Sequence, residues 1–95
     1  MQSHQNTFVT ERLPLATYLH ASQRLRFSHC EQGDNGKVQF LFHDPTRIGD
    51  QLELEFENGA AVPANSLFAS QKFLRRKMTE TLNLNRKTEY AYYER

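Results

Sequence analysis

The stretch LRFSHCEQGDNGKVQFLFH, Leu25 to His43, decides the fold. Leu25, Phe27 and His29 alternate with Arg26, Ser28 and Cys30; after Gly33-Asp34-Asn35-Gly36 the alternation resumes, with Val38, Phe40 and Phe42 set against Gln39, Leu41 and His43. A period of two sends successive side chains to opposite faces of a strand, and a turn cluster carrying two glycines between two such runs marks a β-hairpin. A register symmetric about Asp34 and Asn35 sets Phe27 opposite Phe42, His29 opposite Phe40 and Cys30 opposite Gln39. One face is then aromatic and buried and includes His29, while Cys30 and His43 lie on the other.

Two strands need a third strand or a helix layer to be stable in water. Upstream, residues 1–6 read as a frayed leader and Phe8 to Thr10 as a short terminal strand that extends the hairpin. Leu13, Leu15, Ala16, Tyr18 and Leu19 follow helical spacing, with Pro14 in the first turn where its missing N–H does no harm, so a helix is expected over about 13–23. Downstream, Asp44-Pro45-Thr46 stops the ladder. Ile48, Leu52 and Phe56 at spacing four then read as a helix over about 46–57, whereas Leu52 to Glu57 alternates strictly and reads as a strand; we favour the helix. Asn58-Gly59 serves as a helix stop in the first case and a turn in the second.

The third helix is the strongest, running from about 65 to 82 with Asn65 or Ser66 as its cap. Leu67, Leu74, Met78 and Leu82 form its apolar stripe, with Phe68 and Gln71 at the margins. The tail, residues 83–95, has no helical period, and Thr88, Tyr90 and Tyr92 alternate as in an edge strand. The expected architecture is a single small α+β domain over residues 7–82, an antiparallel hairpin packed against about three helices, followed by a basic, tyrosine-rich tail.

The order Thr7-Phe8, Thr10-Glu11 leading into Leu15-Ala16-Thr17-Tyr18-Leu19, the aromatic strand Val38 to Phe42, Asp44-Pro45, Asn58-Gly59, Val62-Pro63 and a helix ending in Leu74-Arg75-Arg76-Lys77 resembles a small bacterial and phage-borne family known as a domain of unknown function. The resemblance covers about residues 7–82; the longer hairpin turn and the tyrosine-rich tail depart from the pattern. It implies a compact α+β unit of hairpin and helices, and it brings no catalytic residues.

Composition bounds the function. With 95 residues the chain holds one domain, and at 38% apolar and 24% charged it is too apolar for a disordered chain and too polar for a membrane one. The single Cys30 excludes an internal disulfide framework, and neither a signal peptide, a transit peptide nor a membrane span is readable, so a reducing, cytoplasmic setting is expected. The histidines and the cysteine lack metal-ligand spacing, with His20, His29 and His43 on three different elements, so neither a metal nor a cofactor is expected. Cys30 and His29 are strand neighbours that point to opposite faces and make no nucleophile–base pair. Asp50, Glu53 and Glu57 share one side of the second helix, where a solvated acidic face explains them as well as acid–base work does. Neither an enzyme nor a small-molecule substrate is expected.

Charge distribution says more than charge total. The net charge is +1, yet residues 1–65 hold five basic and eight acidic side chains and residues 66–95 hold seven basic and three acidic. On the third helix Lys72 and Arg76 lie opposite the leucine stripe, Arg75 and Lys77 on its shoulders, and Phe73 between them, well off the stripe. Arg86, Lys87 and Tyr90 follow. Cations interleaved with aromatics are what a surface needs to track phosphates and stack bases. The expected function is therefore a non-enzymatic binding module that engages nucleic acid or a nucleoprotein through the outer face of this helix and the tail. The alternative is a protein–protein adaptor or homodimer using the hairpin edge and exposed aromatics such as Phe73.

Overall fold

Six elements follow one another along the chain: β1 (Thr7–Thr10), α1 (Leu13–Ser22), β2 (Arg26–Gln32), β3 (Val38–His43), α2 (Gly49–Glu57) and α3 (Ala64–Tyr93). The computed structural model describes residues 6–93, with side chains through Asn83. All but Asn6 of the expected leader therefore lies outside the described residues.

The hairpin forms where the alternation places it, and the terminal strand extends it. β1 and β2 both run antiparallel to β3, giving a three-stranded sheet of order β1-β3-β2 with the most apolar strand in the middle. Phe27 faces Phe42 as expected, but beyond Ser28 the register moves by one place: His29 pairs with Leu41, Cys30 with Phe40 and Gln32 with Val38. The cause lies at both ends of the hairpin. Asp34, Asn35 and Gly36 turn the chain between Gly33 and Lys37, with the Gly33 N–H donating to the Lys37 carbonyl at 2.8 Å and the Gly36 N–H to the Gly33 carbonyl at 2.9 Å. Gly36 takes φ 83°, a left-handed conformation that glycine adopts without steric cost. This odd turn shifts the pairing by one, and a β-bulge at Ser28 shifts it back before Phe27 meets Phe42.

The bulge corrects two expectations. His29 is exposed instead of facing the core, and Cys30, opposite Phe40, is half-buried and packs against the core. Val38, Phe40 and Phe42 carry the inner face of the sheet, joined by Leu15, Leu19, Leu52 and Leu74 from the three helices.

α1 is the central helix. Leu15 through Leu19 are all buried, five consecutive positions that together circle the helix axis, because α3, α2 and β1 all pack on it. α2 begins later than expected, at Gly49, because the buried Asp44 builds its entry. The Asp44 carboxylate accepts the N–H of Ile48 and of Gly49, each at 2.8 Å, satisfying donors that a helix start leaves open. Leu52 is fully buried, and residues 52–57 are helix, not strand.

α3 differs most from expectation. It starts at Ala64, with the Pro63 carbonyl accepting the Leu67 N–H at 3.1 Å, so neither Asn65 nor Ser66 stands at the cap. Its backbone continues past the expected end at about 82 to Tyr93, so the stretch where Thr88, Tyr90 and Tyr92 alternate as in an edge strand is helix instead. Among the described residues no helix is long and apolar enough to cross a membrane.

Candidate functional site

α3 packs against α1 and, further along, against β2. Its inner face carries Ser70 and Leu74, both buried, with Phe73, Lys77, Met78 and Thr81 half-buried on either side. Packing on both a helix and the sheet makes the buried arc broad, and this is why Phe73 is not free. Its ring stacks on His20 at 4.7 Å between centroids and meets Phe27 edge-on at 5.6 Å, while Phe27 in turn meets Phe42 at 5.5 Å. Phe73 is thus part of an aromatic cluster that ties α3 to α1 and the hairpin. Lys77 belongs to this inner margin as well: its ammonium lies 5.5 Å from the Phe73 ring centroid and 3.6 Å from Glu80.

The remaining predicted residues separate cleanly. Lys72, Arg75 and Arg76 are all exposed, on the turns that face away from Leu74. Arg86, Lys87 and Tyr90 fall within the helical backbone of α3, and their side chains lie outside those described.

Phe68 completes this face, and the sequence reading missed it by assigning it to the margin of the apolar stripe. It is 71% exposed, more than Leu54 or Val9, the other exposed large apolar side chains among the described residues. Lys72, Arg75 and Arg76 follow it at four, seven and eight residues, the spacing that puts side chains on one helix face. The same rule that locates the core stripe would have found this outer one.

Among the described residues, Lys72, Arg75 and Arg76 share their lack of an ion pair with the exposed Arg26, Lys37 and Arg47, but only the first three line one helix face. Arg12 bonds Glu57 at 2.6 Å and Glu53 at 3.2 Å, and Arg24 bonds Glu55 at 3.3 Å. The acidic side of α2 is therefore ion-paired to the arginines flanking α1. Among the described residues no carboxylate pairs with Lys72, Arg75 or Arg76. Their charge faces solvent unneutralised.

Other reactive groups are arranged less productively. Cys30 lies beside Lys77 and Thr81, but burial pushes its thiol up, partly offset by hydrogen bonding with Thr81 and the charge of Lys77. A raised thiol pKa leaves less thiolate to act as a nucleophile. Ser28 Oγ lies 2.7 Å from His29 Nδ1, and His29 Nε2 lies 2.8 Å from Glu31. That chain has the order of a nucleophile, base and orienting group. His29 and Glu31 are half open to water, however, which screens the electrostatic stabilisation a reaction would need. Among the described residues no three His, Cys, Asp or Glu side chains gather as a metal ion would require.

Fold and surface together define a small α+β domain that carries a basic helix face with one aromatic ring on it. No family model, no curated protein and no solved structure matches the chain.

Proposed function

We propose that this protein is a non-enzymatic binding module that engages nucleic acid, free or within a nucleoprotein, through the outer face of α3. The observation that carries this reading is the face itself: Phe68, 71% exposed, in line with Lys72, Arg75 and Arg76, none of which has a carboxylate partner among the described residues. Unpaired cations on a rigid helix release counterions when they meet phosphates, which supplies affinity without sequence preference. Positions 86, 87 and 90 add two further cations and a tyrosine to the same helix.

The test is titration of the intact chain against labelled oligonucleotides across a salt series. Affinity falls steeply as salt rises, and Lys72→Glu with Arg76→Glu abolishes binding. Absence of binding at tens of micromolar protein in low salt overturns the reading.

A protein partner or a second copy is the other reading, supported by Leu54, 61% exposed on α2. The hairpin edge supports it less, because β1 is only four residues long and β2 is bulged at Ser28, both features that discourage edge pairing. Its test is the solution mass by light scattering: a dimer that Leu54→Asp dissociates favours it, and a monomer at high concentration removes self-association.

A further inference from the structure

We infer that the outer face of α3 takes single-stranded nucleic acid in preference to duplex, with one base stacked on Phe68 and the adjoining phosphates held by Lys72 and Arg76. This rests on the nucleic-acid reading and adds the class of strand.

The point of departure is Phe68. A ring left 71% exposed among unpaired cations has no structural task in the fold: it is absent from the core and from every aromatic contact among the described residues, whereas Phe73, five residues on, has His20 at 4.7 Å and Phe27 at 5.6 Å as ring neighbours and the Lys77 ammonium at 5.5 Å. What such a ring offers a ligand is a flat apolar surface.

The two kinds of strand use that surface differently. In a duplex both faces of every base are covered by neighbouring bases, and an aromatic side chain gains a base face only by wedging the stack apart. Base edges are open in the grooves, but Phe68, at the N-terminal end of this face, has no donor or acceptor with which to read them, so its exposed ring gains nothing from a duplex. A single strand presents its base faces freely, and stacking on an aromatic ring is tolerant of which base is present.

Spacing agrees with this. Lys72 lies one turn beyond Phe68 and Arg76 one turn beyond Lys72, each step about 6 Å along the axis. A base on Phe68 therefore has cations beside its own phosphate and the next, with Arg75 alongside.

The experiment compares fluorescein-labelled oligothymidylate with a mixed-sequence duplex of equal length, by anisotropy in low salt, for the intact chain and two variants. The single strand is expected to bind more tightly. Phe68→Ala lowers single-strand affinity about ten-fold and leaves duplex affinity within about two-fold, while Phe68→Trp restores or tightens single-strand binding. Unchanged thermal melting of Phe68→Ala separates loss of stacking from loss of fold. If duplex binds as well as single strand and Phe68→Ala has no selective effect, the single-strand inference falls and the nucleic-acid reading stands. If neither probe binds, both fall.

Discussion

His20 of α1 and Ser70 of α3 are joined side chain to side chain, with His20 Nδ1 2.7 Å from Ser70 Oγ, in the same place where the His20 ring stacks on Phe73. Burial holds His20 below its ordinary pKa of 6.5. The sign of the pH effect follows: below pH 6.5 the unfolded chain takes up a proton that the folded chain resists, so stability falls as pH drops from 6.5 toward the lowered folded value, and it gains nothing from this group above 6.5. Thermal melting is expected to drop between pH 7 and pH 5, and His20→Gln to flatten that part of the profile. Ser70→Ala at neutral pH is expected to cost about 1 kcal/mol in urea unfolding, the usual net worth of one hydrogen bond.

The two phenylalanines of α3 make opposite demands. Phe73→Ala opens a gap between α1, α3 and the hairpin and is expected to cost about 2–3 kcal/mol, below the range for fully buried aromatics because Phe73 is half-buried. Phe68→Ala is expected to change stability by less than about 0.5 kcal/mol, as at ordinary surface positions. Chemical denaturation of both variants against the unmodified chain checks this. Equal costs would put Phe68 in a structural role.

Gly49 is constrained by its neighbours, not by its backbone. A Cβ there would stand 2.8 Å from Asp44 Oδ2 and closer still to the ring of Phe8, so Gly49→Ala must displace the strand residue or the helix cap. The expected loss is about 1–3 kcal/mol by the cost of overpacking. Asp44→Ala removes the acceptor for both capped N–H groups and is expected to cost about 1–2 kcal/mol, read from the same urea transitions.

Gly36 is constrained by its backbone alone. No atom lies within 4 Å of a Cβ built on it, but its φ of 83° strains any β-branched residue. Gly36→Val is expected to lower the melting temperature and Gly36→Asn to be nearly neutral, since asparagine tolerates the left-handed region. Equal effects would mean that the turn adopts another geometry in solution.

Much of the fold was legible because it rests on local period. Phe27 and Phe42 announce the hairpin, and Leu13 to Leu19 the first helix. The exact pairing was not legible, because the extra residue at Gly36 and the bulge at Ser28 offset one another and leave Phe27 opposite Phe42 in either register. His29 and Cys30, between those two features, were the residues placed on the wrong faces. Phe73 was misread for a tertiary reason: the stripe through Leu67, Leu74 and Met78 describes a helix with one partner, and α3 packs on both α1 and the sheet. Phe68 was missed because its chemistry suggests a core and its phase alone says otherwise. Residues 83–93 lack an apolar period, yet Leu84, Arg86, Lys87 and Glu89 are good helix formers, and a helix once nucleated on the core extends through them at little cost.

The most direct measurement is amide chemical-shift mapping of the intact chain titrated with oligothymidylate in low salt. If α3 is the binding face, the shifts gather on Phe68, Lys72, Arg75, Arg76 and the turns between them, fade as salt is raised, and leave Val38 to Phe42 in place. Shifts gathered on the sheet or on α2 instead, or none at saturating oligonucleotide, would contradict it.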